Sequence, residues 1–445
     1  MTSTGGKARR AIWGWYFFDW ASQPYATLLT TFIFAPYMAR IMGDGAAAQA
    51  VWAYGLAAAG VLIAVGSPLL GAVADRTGGH RRFLLVFSAM YVLGAAGLWW
   101  AEPGAPRTAW TVTCFAIGLV GMEYATTFTN AVMPRLAPRA ELGRISGSGW
   151  AFGYAGGVIA LVLMLVFLQE GPDGRTLAGL TPAFGLDPAR AEGTRAVGPF
   201  TALWYALFIL PFFVFTKMPP AGPDGVRAAL RGALPDLRAA LMRLRRDRRL
   251  GGFLLASMLY RDALNGIYAF GGIYAVGVLG WEVRAVGIFG ILAAIAGAAG
   301  AWAGGRADRR FGPQPVIMVC LGLLTAAAAA VPMLGPERIL GLPVAPLVPT
   351  AAFYAIGALI GAAGGAAQAA SRTLLIDRAD PARITEAFGL FALSGKATAF
   401  LAPLAIGIAT QISGSQQIGV LPVIALFLAG LGLLWWSGMN RRPHR

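Results

Sequence analysis

This sequence predicts an all-α integral membrane protein of twelve transmembrane helices in two halves of six. Three observations carry the prediction. Of the 445 residues, 57% are hydrophobic and 13% charged, about half the charged share of a soluble domain. Apolar runs long enough to cross a bilayer, which takes about twenty residues, recur from one end of the chain to the other. The Lys and Arg residues fall between those runs and concentrate in every second connection, as in a multi-pass protein whose basic connections face the cytoplasm.

The formal net charge is +16. The arginines interrupt apolar runs and do not line a soluble face, so topology accounts for them and a nucleic-acid partner is not expected. Cys114 and Cys320 each lie inside an apolar run, which gives neither a disulfide framework nor a metal spacing. His80 falls in a loop and His444 at the C-terminal end, so neither a histidine relay in the membrane nor a zinc site is expected. The basic start (Lys7, Arg9, Arg10) leads into a run too long for a signal-peptide core and without a small-residue cleavage site, so span 1 is read as uncleaved. Gly389 to Thr398 hints at a phosphate-cradling loop. Its spacing is one residue too long, Ala397 takes the Ser/Thr position, and the stretch lies within a span. No cofactor and no catalytic cluster are therefore expected; the chain reads as a non-enzyme driven by a gradient.

The spans, numbered 1 to 12, are placed near 12–42, 50–73, 82–101, 109–133, 144–168, 199–217, 250–279, 284–304, 315–334, 346–371, 384–411 and 418–436. Lys7, Arg9 and Arg10 precede span 1. Arg76, Arg81 and Arg82 follow span 2, Arg135, Arg139 and Arg144 follow span 4, and Arg306, Arg309 and Arg310 follow span 8. Arg378 and Arg383 follow span 10, and Arg441, Arg442 and Arg445 follow span 12. The opposite connections carry few bases, among them Arg40, Arg107 and Arg338. Both termini are thereby placed in the cytoplasm. The longest basic connection, 218–249, separates an N-terminal bundle (1–217) from a C-terminal one (250–445). In it Val226, Leu230, Leu234, Leu237, Leu241 and Leu244 recur at helical spacing with arginines between them, the pattern of an amphipathic helix on anionic headgroups.

The halves repeat weakly. Gly71-Ala-Val-Ala-Asp75-Arg76 after span 2 recurs as Gly304-Gly-Arg-Ala-Asp308-Arg309 after span 8. Arg144-Ile145-Ser146 opens span 5 as Arg383-Ile384-Thr385 opens span 11, and Phe152 and Gly156 match Phe391 and Gly395 in step. Duplicated secondary transporters show such correspondence. The loop suits a gate in which Gly71 allows close helix approach and Asp75 and Asp308 cap a helix start or pair with arginine; Arg76, Arg81, Arg82 and Arg309 complete it. Gly149, Gly153, Gly156 and Gly157 in span 5, and Gly357, Gly361, Gly364 and Gly365 in span 10, read as close-packing strips.

The repeated Gly-x-x-x-Asp-Arg stretch resembles the gating loop between helices 2 and 3 of the major facilitator superfamily, with the basic pair Arg81-Arg82 one residue later than usual. A narrower resemblance covers most of the chain. Trp15-Tyr16-Phe-Phe-Asp19-Trp20-Ala21-Ser22, Asn130-Ala131-Val-Met-Pro134, Gly143-Arg144-Ile-Ser146-Gly147, Gln368-Ala-Ala-Ser371-Arg372-Thr373 and Ser394-Gly395-Lys396-Ala397-Thr398 are similar to stretches of the vacuole-effluxer-like branch. That branch includes autophagy-related vacuolar amino-acid effluxers and bacterial relatives. The resemblance implies the major facilitator fold of two six-helix bundles and alternating access, with helices 1, 4, 7 and 10 lining a central cavity. It also implies amino-acid-like substrates.

Six charged residues fall inside or at the end of spans: Asp19, Glu123, Arg261, Asp262, Arg372 and Lys396. Helix rise places Asp19 about 12 Å from the cytoplasmic end, Glu123 about 15 Å, Arg261 and Asp262 about 17 Å and Lys396 about 18 Å. A charge at such depth costs several kcal/mol unless paired or wetted, so it marks function by default. The bases, with Asn265 and Gln368, are candidates to receive a substrate carboxylate. The acids are candidates to bind an ammonium or carry a coupling proton. Each also has a structural reading. Asp19 can pair in the inner interfacial belt, Glu123 can bond neighbouring backbone, Arg372 can snorkel and Lys396 can form an ion pair within the bundle. Arg261 and Asp262 point about 100° apart, so at most one need face a cavity.

The expected function is secondary active transport of a small polar or zwitterionic solute, coupled to an ion expected to be the proton. A monomer in the inner (plasma) membrane, in contact with anionic headgroups, is expected. A lipid flippase of the same fold and a non-transporting sensor or scaffold are the alternatives.

Overall fold

A computed structural model describes every residue except 1, 43–44, 78, 104–106, 219–231, 233–234, 236–237, 240, 246, 280, 282, 346 and 439–445. Ten helical stretches among these are long and apolar enough to cross a membrane: Ala58–Thr77, His80–Trp100, Thr108–Arg135, Arg139–Leu168, Glu192–Phe215, Ile288–Phe311, Pro313–Met333, Leu347–Arg378, Pro381–Ser413 and Gln416–Gly438. They correspond in order to spans 2–6 and 8–12. The two other expected spans are helical as well. Span 7 is the helix Arg248–Gly277, and span 1 runs Thr2–Pro24, then Tyr25–Phe32 in π form, then Phe34–Met42. The linker positions Val226, Leu230, Leu234 and Leu237, like Arg441, Arg442 and Arg445, lie outside the described residues.

Three interruptions have local causes. Pro24 has no N–H for the Trp20 carbonyl, and Trp204 Nε1 donates to that oxygen at 3.1 Å instead. In the π stretch beyond, the Thr30 and Thr31 hydroxyls donate to the carbonyls of Tyr25 and Ala26, five residues back. Span 11, expected as one helix over 384–411, is broken into Ile384–Ala397 and Leu401–Ser413. The Asp262 carboxylate occupies the start of the second piece, where Oδ2 accepts from Ala402 N at 2.9 Å, satisfying one of the donors a helix start leaves open. Between spans 9 and 10 the chain forms a small antiparallel sheet, Leu334–Gly335, Arg338–Ile339 and Leu342–Pro343. Its second turn places Leu340 and Gly341 at φ of 54° and 80°, a conformation available to the glycine at no steric cost.

The chain divides into two compact units. One comprises residues 1–66, 77–136 and 152–223; the other comprises 67–76, 137–151 and 224–445. The first unit has an aromatic interior. Tyr91 and Tyr205 stack at 3.9 Å between centroids, Trp15 Nε1 donates to Thr129 O at 3.0 Å, and Tyr25 Oη donates to Phe115 O at 2.5 Å. Buried phenol and indole groups need such partners. Its connection between spans 5 and 6 is tied down by Glu170, which accepts from Thr194 N and Oγ1. Arg190 pairs there with Glu102 at 2.7 Å, and that guanidinium holds the Glu102 carboxyl below the usual carboxylate range.

In the second unit, spans 8 and 10 approach backbone to backbone. A methyl group added to Gly365 would lie 2.5 Å from the Gly297 carbonyl oxygen, and one on Gly361 would strike the Ala293 carbonyl. In the first unit Gly153, Gly156 and Gly157 face Asp19, Trp20 and Thr27 of span 1 in the same manner. The small-residue strips are therefore packing surfaces, as the spacing predicts.

Candidate functional site

The expected residues fall into both units. In the first, Asp19 is buried on the face of span 1 that meets span 5, where a methyl group added to Gly153 would lie 3.2 Å from Asp19 Cβ. Trp20 packs on Phe152 at 4.6 Å and stacks with Trp204 at 5.8 Å. Glu123 is partly exposed on span 4, beside Tyr124, whose hydroxyl donates to Leu62 O.

The second unit holds the three bases. Arg261 Nη1 donates to Phe391 O at 2.8 Å, with the guanidinium 4.2 Å from the Phe391 ring centroid. A methyl group on Gly395 would lie 2.5 Å from Arg261 Cζ. The repeated Phe/Gly pair thus does one job twice. Phe152 and Gly156 receive Trp20, and Phe391 and Gly395 receive Arg261. Asp262, 1% exposed, turns away onto Ala402 N, so the adjacent pair divides as the helical 100° requires. Oδ1 of that carboxylate is buried and has no hydrogen-bond partner among the described residues.

Asn265 is exposed one turn beyond Arg261. Arg372, 5% exposed, places its guanidinium 4.9 Å from the Trp150 ring centroid, a cation–π contact. Next to it Ser371 Oγ and Tyr260 Oη lie 2.6 Å apart. Gln368 and Lys396 are partly exposed on spans 10 and 11. Trp150, Phe391, Tyr260 and Ser371 were not legible as site residues, because aromatic and hydroxyl residues in an apolar span read as core. The repeat that pairs Phe391 with Phe152 was the signal available for Phe391.

Both copies of the repeated loop sit in the second unit and make related contacts. Asp75 Oδ2 accepts from Glu386 N at 2.8 Å, in the first turn of span 11. A methyl group on Gly71 would lie 2.8 Å from the Thr385 carbonyl oxygen. Asp308 lies against the start of span 5, where a methyl group on Gly143 would be 2.6 Å from its Cγ. Around this second copy, Arg309 bonds Glu141 at 3.3 Å and Arg139 bonds Asp377 at 2.6 Å. Ser146 Oγ donates to Ala369 O at 2.8 Å. Arg76 is partly exposed at the end of span 2, while Arg81 and Arg82 are exposed on the first turn of the helix His80–Ala96.

A model of the family described as "Vacuole effluxer Atg22 like" matches residues 36–444. An uncharacterized MFS-type transporter of Bacillus subtilis (strain 168), YxiO, is 22% identical over 94% of this chain and 93% of its own length. Autophagy-related protein 22 of Cryptococcus neoformans var. neoformans serotype D (strain B-3501A) is 24% identical over 67% of this chain and 53% of its own length. Among solved structures, the human organic anion transporter MFSD10 (TETRAN) superposes with a TM-score of 0.71 at 17% identity, covering 96% of this chain and 99% of that one. FucP, a major facilitator superfamily transporter in the outward conformation, gives 0.69 at 16% identity, covering 97% and 98%. At these identities the superpositions establish the fold.

Proposed function

Since the chain belongs to the vacuole effluxer Atg22-like family of major facilitator transporters, we propose that it moves a small zwitterionic, amino-acid-like solute by alternating access coupled to the proton. The bundles are residues 1–217 and 250–445, joined by the linker 218–249, with both termini in the cytoplasm of a bacterial cell.

The observation that carries this reading is the doubled loop. Asp75 accepts from Glu386 N at the start of span 11, and Asp308, its counterpart in the repeat, lies against Gly143 at the start of span 5. Two carboxylates at two helix starts, where the backbone dipole favours negative charge, form a latch that holds the inner side shut and parts when the halves rock. Arg261, against Phe391, and Arg372, against Trp150, are the groups assigned to a substrate carboxylate, with Asn265 and Gln368 one helical turn from them on the same spans and Lys396 on span 11. Asp19 and Glu123 are assigned to the substrate ammonium or the coupling proton.

Uptake and counterflow in proteoliposomes, with amino acids, small peptides and organic anions tested with and without a pH gradient, checks the proposal. Counterflow of an amino acid, with accumulation that follows the pH gradient, is expected. Flux of none of the panel, in protein whose melting shows it folded, would overturn it.

A further inference from the structure

Glu386 belongs to two structures at once. Its backbone N–H donates to Asp75 Oδ2 at 2.8 Å, and its side chain accepts from Arg243 Nη2 at 3.1 Å. Arg383 Nη1 stands 3.8 Å from the other carboxylate oxygen. The Glu386 side chain is nine-tenths buried, whereas that of Arg243 is about half exposed. Arg243 belongs to the linker 218–249. It lies in the helical stretch 241–245 that leads through Asp247, the N-cap, into span 7.

A nearly buried carboxylate without a cation is costly. The Arg243 guanidinium balances Glu386 and holds the first turn of span 11, whose Glu386 N–H is directed at Asp75. The second copy is built differently. There Glu141 is paired by Arg144 at 2.7 Å and Arg309 at 3.3 Å, both outside the linker.

We infer that Arg243 is a positioning residue of the latch, through which the linker between the two halves sets how long the Asp75–span 11 contact stays closed. This rests on the reading of the repeated loop as an inner latch. Arg243 acts through Glu386, so the linker bears on the Asp75 copy of the latch.

The test uses the full chain in inside-out membrane vesicles. Cys114 and Cys320 are replaced by alanine, and Ser146→Cys serves as reporter. Ser146 is fully buried on the Ala369 carbonyl, so an impermeant maleimide reaches it when the inner side opens. Arg243→Ala is expected to raise the labelling rate about two- to five-fold, the span set by the strength of a partly exposed ion pair. Arg243→Lys is expected to restore part of the protection and the exchange Arg243→Glu with Glu386→Arg to restore more, which misfolding would not do. Asp75→Asn is the control for the latch itself. Labelling that rises for Asp75→Asn but stays at the wild-type rate for Arg243→Ala would overturn the inference and leave the latch standing. An unchanged rate in both would overturn the latch and the inference with it.

Discussion

Asp262 illustrates what a buried carboxylate can do besides meeting a substrate. One oxygen caps the half-helix Leu401–Ser413 through Ala402 N, and the other is buried with no hydrogen-bond partner among the described residues. The cap and the charge can be separated. Asp262→Asn keeps a carbonyl oxygen for Ala402 N and is expected to leave the melting temperature in detergent near wild type. Asp262→Ala removes the cap and is expected to cost about 1 kcal/mol. Retention of exchange by Asp262→Asn with loss of pH-driven accumulation would assign the charge to coupling. Sequence reading found Asp262 by its depth and foresaw that Arg261 and Asp262 face apart. The break at 398–400 is itself marked by Pro403, which has no N–H for the Ala399 carbonyl; the cap was not foreseeable, because Asp262 and Ala402 lie far apart in the chain.

At the scale of the helix, the glycine strips were legible and their partners were not. Spacing along a helix marks the face, but which helix meets it depends on chain topology. The structure sets span 10 against span 8 and span 5 against span 1. Gly365→Val would force a side chain onto the Gly297 carbonyl and Gly156→Val onto the Trp20 carbonyl and indole. Each is expected to cost about 1–3 kcal/mol, read as a lower melting temperature in detergent. Gly322→Val and Gly432→Val, where nothing among the described residues lies within 4 Å, are expected to melt near wild type. Equal effects at all four positions would reduce the strips to composition, since 60 residues are glycine. The sheet between spans 9 and 10 went unseen, because strands of two residues leave no alternation to detect.

For the whole molecule, the six intramembrane charges divide between the compact units, with Asp19 and Glu123 in one and Arg261, Asp262, Arg372 and Lys396 in the other. Neutralising each in turn is expected to sort them. Loss of a proton-carrying acid should spare exchange and abolish accumulation driven by a pH gradient, while loss of a substrate-binding base should abolish both. Six neutral variants that all transport as wild type would remove these charges from the mechanism. Flux is the readout that fits a member of a transporter family.

Composition and spacing by themselves determined that this chain lives in lipid, roughly where its helices run, that its halves repeat, and which charges fall within apolar spans. Those properties are local. They follow from hydropathy over about twenty residues and from the cost of a charge at depth. Tertiary structure alone decided that Asp75 meets Glu386 and that Arg261 lies across Gly395. It also decided that Asp262 closes a helix start and that a linker arginine reaches the first turn of span 11. Each joins residues far apart in the chain, and a partner's identity is written in no periodicity. It emerges when backbones approach closely enough for a single N–H to choose its acceptor.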